Sequence, residues 1–216
     1  MAINFKQYIS TLDDQYVLLP ERYDPRKSKK TLGIPLLDII SIEERIINFK
    51  KCKEQKYILL DTSNSNSGFV ESNNDDFNKP FGSNKKIISR NSVIISRLRP
   101  YLRQIGFIDE NIVPENYFIL ASTEYFELIS KTNESIAFII PFLLSKQIQE
   151  YLQISVEGGN HPRFKINTLS SLYIPYDVID NRNTISEQIV DYIKNIRISY
   201  SLLNKTYELF SKVYCA

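Results

Sequence analysis

Three observations predict an α+β fold. Short β-branched and aromatic runs bounded by polar residues occupy the chain up to residue 128; residues 137–154 carry apolar side chains at helical spacing; and residues 184–213 hold one unbroken heptad seam. In chain order, residues 1–31 join an aromatic-rich opening to the basic, proline-containing stretch 21–30, which reads as an arm or loop. Residues 36–42 and 57–61 read as short strands, with the charged stretch 43–56 between them as a loop or hairpin edge. Residues 62–86 are dominated by Asn, Ser, Gly and Lys and read as one long polar surface loop, of the kind that is usually either functional or disordered. Strand character returns at 93–103, 107–108, 117–120 and 123–128, followed by the helix at 137–154, a loop at 157–165, a loop-like stretch at 176–183 and the terminal helix. No internal repeat is evident. The expected organisation is a globular unit over residues 1–180 with the helix 184–213 appended.

With 216 residues the chain can bury one sizeable core, and hardly two. Lys and Arg total 27 against 25 Asp and Glu, so the net charge of +2 argues against a protein that wraps nucleic acid electrostatically; any anionic partner must meet a local patch. Cys52 and Cys215 are too few and too far apart for a disulfide framework or a cysteine metal site. The opening Met-Ala-Ile-Asn-Phe-Lys-Gln lacks the basic head and apolar run of a signal peptide, and the apolar stretch at 137–144 is too short to span a bilayer. The expected setting is the cytoplasm, with no membrane contact and no cofactor.

The most informative stretch is Val93-Ile-Ile-Ser-Arg-Leu-Arg-Pro-Tyr-Leu-Arg103. In an extended strand alternate side chains share a face, so Arg97 and Arg99 are expected side by side, while Pro100 ends the ladder and leaves Arg103 on the exit loop. Between Asp76 and Asp109 there is no acidic residue, yet Lys79, Lys85, Lys86, Arg90, Arg97, Arg99 and Arg103 all fall there. One-signed charge in a balanced chain points to a polyanion, and the planar guanidinium fork matches phosphate oxygens or a guanine edge. The same residues also fit a solvated strand end whose arginine stems cover apolar surface.

A second loop, Glu157-Gly-Gly-Asn-His-Pro-Arg-Phe-Lys165, offers a second jaw. Paired glycines permit close backbone approach to a ligand, and Asn160, His161, Arg163 and Lys165 are candidates for base-edge or phosphate contacts. Alternatively the glycines form a helix C-cap and Pro162 stops the helix. His161 is the single histidine, so a hydrolytic triad could be built only there, and no GxSxG accompanies it. Walker A, GxGxxG and HExxH patterns are absent, and Glu54-Gln55-Lys56 lacks the upstream Pro-Asp of a nuclease site. These absences point to a binding protein.

In the last segment Ile189, Ile193, Ile196, Tyr200, Leu203, Tyr207 and Phe210 follow the 4-3 spacing of a heptad seam, and Thr184 with Glu187 forms a capping box. The seam is roughly 30–35 Å long, about one turn of B-DNA. Packing on its own domain would bury it. With no second heptad segment in the chain, the favoured expectation is a partner helix, antiparallel because Tyr200 and Tyr207 are bulky for a tight parallel pair.

Taken together, these residues resemble the specificity subunits of type I restriction-modification systems. The resemblance rests on Ser96-Arg-Leu-Arg-Pro-Tyr-Leu-Arg103, Ala121-Ser-Thr-Glu-Tyr-Phe-Glu-Leu128, Gly158-Gly-Asn-His-Pro-Arg-Phe-Lys-Ile-Asn167 followed by Leu172-Tyr-Ile-Pro175, and the closing heptad helix, in that order over residues 34–213. It implies a non-catalytic target recognition domain that reads a half-site in double-stranded DNA, and a long helix that pairs as a spacer and docks a methyltransferase subunit, with a restriction subunit as a further partner. Usual members carry two recognition domains and two helices; one of each here implies a half-length form restored by homodimerisation. Under this reading Lys85, Lys86 and Arg90 hold phosphates, and Arg97, Arg99, Arg103, Asn160 and Arg163 meet bases or grooves. The competing reading is a coiled-coil adaptor whose basic patch is only solubility surface.

Overall fold

The computed structural model describes residues 32–48, 55–73 and 76–214. The N-terminal arm expected at 21–30, part of the 43–56 loop, and both cysteines lie outside them. The chain opens with β1 (Gly33–Pro35), the single-turn helix α1 (Leu36–Ile39), β2 (Ile40–Glu43), β3 (Ile46–Ile47), β4 (Tyr57–Leu60), β5 (Ser65–Asn66) and β6 (Phe69–Val70). Next come β7 (Lys85–Ile88), β8 (Ser92–Ser96), β9 (Ile105–Ile108), β10 (Phe118–Ser122) and β11 (Tyr125–Ser130). The last part holds α2 (Ile139–Leu144), α3 (Lys146–Ile154), α4 (Ile166–Ser170), β12 (Tyr173–Pro175), α5 (Tyr176–Asp180) and α6 (Arg182–Tyr214). The fold is α+β with a long C-terminal helix.

Two four-stranded sheets are stacked under a layer of helices. One is antiparallel, in the order β2-β11-β8-β9; the other runs β3-β7-β10-β4 and has one parallel pair, β10 with β4. The uninterrupted apolar run Val93-Ile94-Ile95 has a physical reason in this stacking, since a strand buried on both faces does not alternate. Val93 and Ile95 join Phe107, Phe126 and Leu128 in the core beneath the helices, with Phe138, Leu143 and Leu152. Ile94 points the other way and packs with Ile58, Leu60, Ile119 and Tyr125 between the sheets. A smaller cluster of Tyr57, Leu59, Phe81 and Leu120 covers the far face of the second sheet.

Several segments differ from the sequence expectation. Residues 36–42 are not one strand: α1 makes a helical turn after Pro35, placing Leu36 in the core, and only then does β2 begin. Residues 62–86 are not one exposed loop. Asp61 and Asn64 close a reciprocal capping box, β5 and β6 form a tight hairpin, and Ser65, Val70 and Phe81 are buried. The helix expected at 137–154 is broken at Ser145, whose extended ψ of 147° ends α2 and whose hydroxyl accepts from Ile148 N–H to start α3. The stretch 176–183 contains the helical turn α5, and α6 begins at Arg182, so Thr184 lies inside the first turn and is no cap.

The terminal helix divides into a docked half and a free half. Ser186 and Ile193 are buried, and Ile185 and Ile189 pack against the core. Arg197 then grips the domain: its guanidinium makes a bidentate ion pair with Asp109, donates to the Val70 carbonyl at 3.2 Å and lies 4.9 Å from the Phe69 ring centre. Tyr200 stacks on the same ring at 5.8 Å. Gly106 makes this possible, because a Cβ there would meet Val70 Cγ2 at 2.3 Å and push β6 off β9. The expectation that the whole seam faces a partner is therefore corrected for Ile189, Ile193 and Ile196, which lie partly or wholly buried against their own domain. Beyond Tyr200 every residue to Tyr214 is exposed, including Leu203, Tyr207 and Phe210.

This docking generates a stability prediction. Arg197→Ala leaves the buried Asp109 carboxylate without its partner and is expected to cost about 3 kcal/mol in urea unfolding, whereas Tyr200→Ala, which removes one ring contact, costs about 1 kcal/mol. Equal small losses for both variants would show that Arg197 does not anchor the helix.

Candidate nucleic-acid interface

The strand β8 stops at Ser96, so Arg97, Arg99 and Arg103 are not on a strand, and the shared-face expectation for Arg97 and Arg99 is corrected. Ser96 Oγ accepts from Leu98 N–H at 3.3 Å and turns the chain. Arg99 takes a left-handed conformation (φ 47°), Pro100 to Leu102 form a single 3-10 turn, and Arg103 is left-handed again (φ 52°) before β9. Such a conformation is strained for a non-glycine residue, and for Arg99 the following proline disfavours it further. The tip is held by backbone hydrogen bonds, from Leu102 N–H to Arg99 O and from Arg103 N–H to Pro100 O, each 2.9 Å. Tyr101 and Leu102 are exposed on it.

The second loop meets this tip. Glu157 and Arg163 exchange N–H···O bonds of 2.9 Å in both directions, closing a small hairpin; Arg99 N–H donates to Pro162 O at 2.9 Å and Phe164 N–H to Arg97 O at 3.1 Å. Phe164 is buried against Phe126, which anchors the loop in the core. Gly158 adopts φ +90° within the hairpin, three residues past the Ser155 that ends α3, so the glycines serve the loop and do not cap the helix. Two motifs sixty residues apart in the chain are thus docked together, and Arg97, from the first, joins Gly158, His161, Arg163 and Lys165, from the second, and Phe126 in lining one cleft of about 560 Å³.

Behind the cleft sits a residue that sequence reasoning missed. Glu124, in the two-residue turn between β10 and β11, accepts from Arg97 Nε at 3.1 Å and from Arg163 Nε and Nη2 at 2.9 and 2.7 Å. Its side chain is 19% exposed, against 37% and 39% for the two arginines, so the guanidiniums stand in front and the carboxylate behind. The Arg163 hydrogen bond, opposed by burial and aided by the Arg97 hydrogen bond and the charges of both arginines, holds the Glu124 carboxyl below its ordinary value. The clamp is therefore complete at neutral pH and is lost as the pH falls through that lowered value. The only sequence signal for it is an acid at a turn between two strands, which carry the chain from one sheet to the other; the register that pairs Tyr125 with Ser96 is what brings it beside Arg97.

The remaining candidates separate clearly. Lys86 is 3% exposed, and its ammonium donates to Glu44 Oε1 and to the Tyr125 carbonyl, both at 2.7 Å; as the neighbour of Ile88 on the inward face of β7 it has no free side for a phosphate. Arg90 lies at the opposite end of β8, roughly 20 Å along the strand direction from Arg97, and its guanidinium holds the Val113 and Pro114 carbonyls. The basic run of the sequence is thus split, and Lys86 and Arg90 do not join the cleft. Lys85, on the other face of β7, has no side-chain partner among the described residues, nor does Arg103; Arg99 has only a 3.4 Å bond to Asn160 O. Asn160 and His161 are exposed, and Lys165 pairs with Glu157 at 2.8 Å. Among the described residues no cluster of His, Cys, Asp and Glu is placed to hold a metal ion, and no helix is long and apolar enough to cross a membrane.

No family model and no curated protein matches this sequence. Solved structures do share its fold. A chain of a structure described as "Structural basis underlying complex assembly and conformational transition of the type I R-M system" is 18% identical over 86% of this chain and 49% of its own, with a TM-score of 0.54. The HsdS subunit from Thermoanaerobacter tengcongensis is 16% identical over 83% of this chain and 47% of its own, with a TM-score of 0.50. This chain spans about half the length of each. The likeness shows that its α+β domain and long helix share the fold of chains from type I restriction-modification systems, the family that the sequence motifs resemble.

Proposed function

We propose that this chain is a DNA-recognition subunit that directs the methyltransferase, and with it the restriction machinery, of a type I restriction-modification complex to its target, and that it has no chemistry of its own. The observation that carries the reading is the docking of the Arg97–Arg103 tip on the 157–165 hairpin, with Arg97 and Arg163 lining one cleft between them, on a frame shared with an HsdS subunit. In this reading Arg99, Arg103 and Lys85, whose charges are nearly or wholly unpaired, meet phosphates and set the register of the duplex, while Arg97, Asn160 and His161 face base edges and Arg163 holds the cleft together. Lys165 borders the same surface.

The free half of α6 supplies the second part of the proposal. Leu203, Tyr207 and Phe210 continue the seam, and Leu202, Leu209 and Val213 lie beside it, giving a wide exposed apolar face. Burying one large apolar side chain is worth roughly 1.5–3 kcal/mol, so such a face favours association. We assign it to a homodimer, which would carry two recognition domains, and to the methyltransferase that docks on the paired helices.

Two measurements test these assignments. Replacing Arg99 and Arg103 by Ala is expected to weaken duplex binding and to flatten the log K against log salt slope by about 2, close to 0.9 per lost phosphate contact; an unchanged slope contradicts the phosphate role. Light scattering is expected to give a dimer for the wild type and a folded monomer for Leu203→Asp/Phe210→Asp, both sites lying beyond the docked half of α6. A monomeric wild type at micromolar concentration would leave the free half to the methyltransferase alone.

A further inference from the structure

Resting on the proposed DNA-recognition role, we propose that Glu124 is a positioning residue that fixes the Arg97 fork for a guanine in the recognised half-site, with Arg163 as the buttress.

The two arginines on Glu124 are not equivalent. Arg163 commits Nε and Nη2 to the carboxylate and Nη1 to the His161 carbonyl at 3.0 Å, so all three of its nitrogens are engaged. Arg97 commits only Nε; its two terminal nitrogens carry no partner among the described residues, although its side chain is 37% exposed and lines the cleft. The Nη1/Nη2 edge is the one that presents two parallel N–H donors, the geometry that matches O6 and N7 of guanine. An exposed arginine ordinarily samples many rotamers and pays entropy to be fixed on binding. Here the Nε tether and the Phe126 ring, 6.0 Å from the guanidinium carbon, fix the plane of the fork in advance. Phe164 N–H on the Arg97 carbonyl and Glu124 O on the Arg97 N–H pin its backbone as well. A phosphate-binding arginine needs none of this, since a phosphate accepts from a mobile side chain, whereas a base edge requires a defined plane.

The charge of Glu124 makes the consequence unusual in sign. The carboxylate sits behind two cations and repels phosphates, so as a contributor to overall affinity it is unfavourable; its value lies in discrimination alone. Glu124→Gln keeps size and some hydrogen-bonding capacity but removes the charge that holds both guanidiniums. It is expected to raise binding to random-sequence duplex a few-fold while lowering preference for guanine at one position of the half-site.

The experiment selects duplexes from a randomised pool with the full-length wild type, then measures binding of the selected sequence and of single-base variants by wild type, Glu124→Gln, Arg97→Lys and the double variant. The wild type is expected to show one guanine whose replacement costs roughly 5- to 150-fold in affinity, the range of a good bidentate contact. Glu124→Gln and Arg97→Lys are each expected to lose most of that factor at the same base pair, and the double variant no more than either alone, because both act through one fork. Retention of the guanine preference in Glu124→Gln overturns the inference while leaving the DNA-recognition role intact. So does a uniform loss across all sequences, which marks a phosphate contact or a damaged fold. A wild type that enriches no sequence and binds no duplex overturns the underlying role instead.

Discussion

The constraint on which the molecule depends is the two-sided burial of β8. With Val93 and Ile95 under the helices and Ile94 between the sheets, the middle of this strand accepts no charge on either face. Every guanidinium of the basic stretch must therefore emerge before Ser92 or after Ser96. That splits the run into Arg90, which closes carbonyls of the 110–114 loop at one end, and Arg97 to Arg103, which dock on the 157–165 hairpin at the other. The neighbouring strand β11 obeys the same rule. Its one internal acid, Glu127, is fully buried and survives there by accepting from Arg45 and from Ser89 N–H, and its Tyr125 phenol, raised in pKa by burial, is held by Ser65 Oγ at 2.6 Å.

The ends of the sheets, in contrast, are polar and internally balanced. In the cleft Lys165 is paired with Glu157, and Arg97 and Arg163 share Glu124, while Arg99 and Arg103 on the neighbouring tip are nearly or wholly unpaired. Fixed, compensated donors at the centre and free cations around them suit a surface that distinguishes one duplex from another more than one that binds all duplexes tightly. The mild net charge of +2 agrees with this arrangement.

Much of the fold was legible because its signals are local. The β-branched runs, the 3.6-residue period at 137–154 and the heptad seam gave the α+β class, most of the strands and the terminal helix. What escaped depends on contacts distant in sequence. Whether Ile189 and Ile193 serve a partner or their own domain is decided by Arg197 reaching Asp109, eighty-eight residues away, and no spacing rule encodes that pair. The charge of Lys86 hid that β7 points it inward, since in sequence it is one of two adjacent lysines. The two jaws of the site were readable from composition and from Gly158-Gly159, but the carboxylate that organises them was not, because a single glutamate at a turn has no pattern of its own.

Whether the 97–103 tip and the 157–165 hairpin form one duplex-binding surface is decided by hydrogen–deuterium exchange of the protein with and without DNA. Protection is expected on both segments together, and none at residues 88–91 or 110–114, where Arg90 is engaged by the protein itself. Protection confined to the Arg90 end, or to one jaw without the other, would contradict it.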